Sequence, residues 1–202
     1  MIPVFPAAYW GSIAYFRALC AHDEVIIETK EHFIKQTGRN RCDILGANGI
    51  ISLSIPIKRE SGAKTTVDQI GLSNDENWRA RHWRTIMSAY QSAPFFDYYG
   101  MEVHEIIFAD HQTLMELNQV IFERVVHWLD LPVLFRYSDA FIPPQENDYR
   151  AYLLDKNHAT SPEPAPYIQV FPGNDSYAQS LSILDPVMCL GPMARNLFIQ
   201  PT

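Results

Sequence analysis

A chain of 202 residues with 47% apolar and 19% charged residues has the composition of a packed globular protein, not of a disordered one. Its formal net charge of −7 argues against a dedicated nucleic-acid binder. The absence of any run of about 18 apolar residues argues against a membrane span. The length suits a single domain spanning residues 1–202. Cys20, Cys42 and Cys189 are dispersed and form no C-x-x-C pair, so neither a disulfide framework nor a zinc knuckle is signalled, and no metal is expected. The opening residues lack the positively charged start of a signal peptide, and the expected compartment is the cytoplasm.

"IPVF" reads as a short strand and "PAAYWG" as the loop that breaks it. Ser12 is placed to cap a helix whose Ile13, Phe16, Leu19 and Cys20 share one face, and the β-branched "EVIIE" follows as a strand ending at Glu28. A helix between two short apolar strands predicts a βαβ unit and a parallel sheet. "ANG" at 47–49 is a turn, "IISLSIPI" an alternating strand stopped by Pro56, and "TTVDQIGL" a further strand-like piece. Ser73 or Asn74 is the expected cap of a helix from about 75 to 92, with Trp78, His82, Ile86 and Ala89/Tyr90 on one stripe. "FFDYYG" and "VHEIIF" read as two short helices. Leu114, Leu117, Ile121, Val125 and Trp128 mark an amphipathic helix over 111–130. "PVLFRYS" is a strand, and residues 142–166, with five prolines, a long loop holding one short helix near 148–154. "YIQVF" is a final strand, and "SLSILDPVMCLG" a short buried helix closing at Gly191. The expected fold is α/β: a mainly parallel, Rossmann-like central sheet with a nucleotidylyltransferase-like opening unit and an α-rich middle.

Charge is unevenly spread. Residues 30–84 carry ten Lys/Arg against six Asp/Glu. Lys30, Lys35, Arg39 and Arg41 fall within twelve positions, directly after the second strand. In open α/β sheets ligands sit beyond the carboxyl ends of strands. Lys35, Arg39 and Arg41 are therefore candidates for holding a phosphate, with Asn40 opposite the two arginines and able to bond either backbone or a sugar hydroxyl. Tyr9 and Tyr15 of the first loop would wall the same site. Pairing with Glu31, Asp43 and other carboxylates in a structural network is the alternative. His82 is either a core histidine or a general base. Asp185, in the apolar "LSILDPVM", either caps the helix beginning at Pro186 or pairs with Arg39 or Arg41 in a pocket. Tyr167 and Gln169 alternate with Phe171 along one strand face, as a ligand platform or as packing. The opening also resembles nucleotidylyltransferase-type folds, in which H-x-G-H begins the first helix. Here Ser12, Ile13, Ala14 and Tyr15 stand there, without a histidine.

"FPAAYWGSIAYFRAL", "DEVIIE", "HFIKQTGRNRCDILGANG", "HWRTIMSAYQSAPFFDYY", "YIQVF" and "LSILDPVMCLGP", in that order, resemble the WbqC-like family of bacterial O-antigen gene clusters. The resemblance implies work in surface-polysaccharide synthesis, with aminoacyl or glycyl transfer to a sugar as the family proposal, and brings no established catalytic residues or cofactor. The chain departs from the family pattern in "PGNDSYAQS" after "YIQVF", and in Pro186-Val-Met-Cys-Leu-Gly191, where Leu-Leu-Phe-Asn-x-Gly is common. The expected function is a transferase acting on an activated, phosphate-bearing small molecule, a nucleotide sugar or an aminoacyl compound, with His82 or Asp185 as base. A non-catalytic nucleotide- or sugar-binding module is the rival.

Overall fold

The computed structural model of the chain describes residues 1–58, 65–74, 76–153, 166–171 and 180–199. β1 (Val4–Pro6) runs into α1 (Ile13–Cys20), whose first turn is closed by Ser12: its hydroxyl accepts the Tyr15 N–H at 3.1 Å. β2 (Glu24–Glu28) follows. β3 (Arg41–Gly46) and β4 (Gly49–Ser54) form an antiparallel hairpin, closed where Gly49 takes φ 109, a value that resists any side chain. β5 (Ile57–Lys58) pairs antiparallel with β6 (Gly71–Leu72). "TTVDQIGL" is thus mostly not a strand. Its Val67 and Asp68 N–H groups donate to the carbonyls of Glu31 and Thr29, and the segment turns as a 3₁₀ helix, Val67–Gln69.

α2 (Trp78–Tyr90) buries Trp78, His82, Ile86, Ala89 and Tyr90, the expected stripe, but begins after Asn77 without a side-chain cap. α3 (Phe96–Phe108) is one helix where two were expected. Gly100 lies on its buried face, where an added Cβ would meet the Phe96 ring at 3.1 Å. α4 (Leu114–Trp128) opens with a reciprocal capping box between Thr113 and Glu116. β7 (Leu134–Tyr137) is the "PVLFRYS" strand. Within residues 142–153, Arg150–Leu153 form a 3₁₀ turn, and Tyr149 N–H reaches the Val4 carbonyl at 2.8 Å along the outer edge of β1. The rest of the proline-rich loop, 154–165, lies outside the described residues. "YIQVF" has no regular secondary structure, because Tyr167 and Gln169 turn to Asp185 instead of joining a ladder. α5 (Leu184–Leu190) ends at Gly191, φ 57.

β1 and β2 are parallel neighbours, Val4 opposite Ile26, with α1 crossing between them as expected. β7 lies parallel on the other side of β2, Glu24 opposite Leu134, giving the order β1-β2-β7. The fold is mixed α/β with one three-stranded parallel sheet. A fuller Rossmann pattern does not follow: the crossover from β2 to β7 carries two antiparallel hairpins and three helices. One core joins these layers, running from Phe5 and Trp10 through Ile44, Trp78, Val103, Leu117 and Val187. Trp10, fully buried at φ 44, sits in a conformation that disfavours bulky residues. Its ring stacks on Trp128 and its carbonyl accepts the Ser182 hydroxyl at 2.9 Å. Residues 180–183 thread between this first loop and the hairpin. Ile183 N–H donates to Gly11 and Ser182 N–H to Asp43, at 2.9 and 2.7 Å. Among the described residues no helix is long and apolar enough to cross a membrane.

Candidate functional site

The carboxyl ends of the parallel strands are filled. Glu28, closing β2, is fully buried and accepts from Lys30 N–H, Ser138 Oγ and Ile142 N–H at 2.7–2.8 Å. The Arg150 guanidinium lies 3.6 Å away and also binds Asp148. Arg39, in the turn before β3 and not within a strand, is fully buried as well. Its Nε and one terminal nitrogen each donate to Glu31 at 2.8 Å, and the rest of the guanidinium meets Thr37 and the Arg150 carbonyl. A buried guanidinium demands such a carboxylate, and this one is turned inward, with no exposed surface to offer a ligand. Arg41 reaches across the hairpin to Ser52 at 2.5 Å and lies 3.7 Å from Asp43 on its own strand, while Lys35 is exposed. Asn40 donates to the Ile55 carbonyl at 3.1 Å. The structure therefore does not gather Lys35, Arg39 and Arg41 around one opening.

His82 is 1% exposed, with Nε2 3.1 Å from the Ser54 carbonyl and Nδ1 2.9 Å from the Tyr9 hydroxyl. A carbonyl only accepts, so Nε2 carries the proton and Nδ1 accepts from Tyr9. Burial holds the imidazole down at about 4, neutral at pH 7. Tyr15 donates to the Pro6 carbonyl at 2.9 Å. These are satisfied interior groups. Tyr9 and Tyr15 point inward and line no open cleft.

Asp185, Tyr167 and Gln169 do converge. Asp185 lies within the first turn of α5, after Ile183 at the cap position, and is 1% exposed. Tyr167 donates its hydroxyl, and Gln169 its amide at 2.8 Å, to one carboxylate oxygen. The Tyr90 hydroxyl of α2 faces the same carboxylate. Among the described residues no cation pairs with it. Burial pushes this carboxyl above its ordinary range, against the donors that favour its charged form. Cys189, one turn along α5, is pushed up to about 12 for the same reason.

Beside this cluster opens a cleft of about 480 Å³, between the solvent face of α2 and the tip of the β3–β4 hairpin. Arg81, Arg84, Thr85 and Ser88 line it from α2, with Asn48 and Ile51 of the hairpin and Phe171 completing the lining. Spacings of three, one and three place the four α2 residues on one helical face, which adjoins the buried stripe at Thr85. That polar stripe in "RHWRTIMS" was legible and was passed over for the denser basic run upstream. Arg81 meets Glu76 at 3.2 Å, a half-exposed pair worth about 0–1 kcal/mol and readily displaced. Arg84 donates through Nε to the Ala80 carbonyl at 3.2 Å and forms no ion pair among the described residues. The Thr85 hydroxyl donates to the Arg81 carbonyl at 2.8 Å, which leaves two guanidiniums and the Ser88 hydroxyl as the kind of donors that anion recognition uses. Ala89, which lines the cleft, adjoins Tyr90, and Phe171 follows Gln169 by two, so cleft and Asp185 cluster are neighbours.

No curated protein and no solved structure matches the chain. A family model does, over residues 7–161, which takes in the first loop, the hairpin and the whole arginine face of α2. The chain belongs to the WbqC-like protein family.

Proposed function

We propose that this protein is a transferase that binds an activated, phosphate-bearing small molecule in the cleft between α2 and the hairpin tip. Its expected setting is surface-polysaccharide synthesis, with residues 1–202 acting as one domain. The observation that carries the proposal is the Arg81–Arg84–Thr85–Ser88 face. Two cations and the Ser88 hydroxyl at helical spacing, one arginine without a carboxylate among the described residues, suit phosphate oxygens. Their role is to hold and neutralise charge, which is the protein's main task in transfers from phosphate donors. Asp185, Tyr167 and Gln169 stand behind the site.

A non-catalytic binding module is the second reading, and a specific observation favours it. Among the described residues no carboxylate, imidazole or thiol lines the cleft, and Asp185 is almost fully enclosed. The two readings share the ligand and differ in turnover. Thermal shift with pyrophosphate, nucleoside diphosphates, nucleotide sugars and aminoacyl phosphates tests the ligand, since binding raises the melting midpoint. The expected result is a rise in the parent protein that is lost in Arg81→Ala/Arg84→Ala. Both residues are exposed, so the variant itself should melt within about 1 kcal/mol of the parent. No shift with any phosphate compound, or the same shift in the variant, overturns the site. Release of product from a bound donor separates the transferase from the module.

A further inference from the structure

A site for phosphate alone needs no aromatic wall and no such room. This cleft has both: about 480 Å³, within the ordinary range of small-molecule pockets, and Phe171 in its lining. Resting on the anion reading above, we propose that the ligand is a nucleoside diphosphate, that Phe171 stacks on its base, and that Asp185 is the residue that positions Phe171. Arg81 and Arg84, three residues apart on α2, take the two phosphates. The Asn48 amide at the hairpin tip offers a donor and an acceptor to the edge of the base.

Phe171 is half-buried although its own segment, 166–171, has no helix or strand to hold it. What holds it is side-chain bonding two and four residues earlier. Gln169 and Tyr167 both donate to the Asp185 carboxylate, which is anchored in α5 and faced by Tyr90 of α2. The segment is thereby tied to α5, which packs against the arginine-bearing α2. A buried acidic group with no cation beside it among the described residues is costly to keep, and at 1% exposure it reaches no substrate. A positioning role accounts for both facts. Stacking on an aromatic ring tolerates any base, because every base has a π-face, so the site distinguishes nucleotides from simple phosphates more sharply than one base from another.

The test is calorimetric titration of the full chain with pyrophosphate, uridine diphosphate and adenosine diphosphate. Both nucleotides should bind about tenfold more tightly than pyrophosphate, the lower range for one stacked base. Phe171→Ala should erase that gap and leave pyrophosphate binding intact, with Phe171→Tyr restoring the gap. Asp185→Asn, an amide resembling the protonated acid, and Tyr167→Phe should each narrow the gap without weakening pyrophosphate. A gap that is absent in the parent, or that survives Phe171→Ala, overturns the stacking role while the anion site stands. If none of the three ligands binds, the anion reading fails with it. If Asp185→Asn does not fold, Tyr167→Phe decides, and an unchanged gap there overturns the positioning role.

Discussion

His82 shows how a residue suited to proton transfer becomes part of the scaffold. Tyr9 and Ser54 occupy both ring nitrogens, and the Trp78 ring packs edge-on at 5.2 Å. The folded state excludes the charged imidazole. Between the ordinary value near 6.5 and the depressed value of about 4, the unfolded chain binds the extra proton. Stability from His82 is therefore complete above about pH 6.5 and is lost as pH falls toward 4, by on the order of 3 kcal/mol. Asp185 works the other way: its raised carboxyl favours the protonated folded form, so its contribution grows as pH falls. The comparison that isolates His82 is denaturant unfolding of parent and His82→Gln from pH 7.5 to 4.5. The variant should lose about 1–3 kcal/mol at pH 7 and show a flatter acid limb. An equally steep limb would mean that the imidazole is not the group titrating. Arg39 has followed the same route as His82. A guanidinium in a basic run looks like a ligand group from sequence, yet the turn before β3 aims it inward at Glu31.

At the level of elements, agreement with the sequence follows the strength of local chemistry. β1, α1 and β2 were legible because Ser12 supplies the cap and β-branched residues flank it. α4 was legible because its apolar spacing is unbroken. Misreadings arose where one distant partner outweighed a local pattern. "YIQVF" has strand composition, but Asp185, more than a dozen residues on, claims its polar side chains. α3 was split at Gly100, a poor helix former that is tolerated because the Phe96 ring leaves no room for a side chain there. The cleft was missed for a related reason. Its cations share a helix with a strong apolar stripe, and the apolar stripe dominated the pattern. Gly191 is a second point of close approach. At φ 57, an added Cβ would lie 2.5 Å from Phe95 ring carbons, where Phe95 N–H also donates to the Met188 carbonyl at 3.0 Å. Gly191→Ala should cost about 2–4 kcal/mol from backbone strain and overpacking. Adding Phe95→Leu should recover part of it, read as a positive coupling in denaturant midpoints. Full additivity of the two changes would show that the ring is not the obstacle.

For the whole molecule, residues 180–199 are as much core as any strand. Leu181, Ile183, Leu184, Val187 and Met188 are all fully buried. Losing even a few such contacts, at roughly 2–5 kcal/mol each, exceeds the net stability of an ordinary domain, about 5–15 kcal/mol. A chain stopped after residue 179 should give neither a cooperative melt nor a dispersed amide NMR spectrum, and recovery of both would show that the fold closes without this segment. The threading of 180–183 between Gly11 and Asp43 also dictates an order of events during synthesis. The loop around Gly11 waits for Ile183, far later in the chain. β2 meets β7 only after Leu134 has appeared, and the loop holding Tyr9 and Trp10 finds its cover later still. Pairings so distant along the chain form slowly. On a translating ribosome the apolar first loop therefore stays uncovered until residues 181–188 have cleared the exit tunnel, and that interval is when the nascent chain is most open to chaperones and to aggregation.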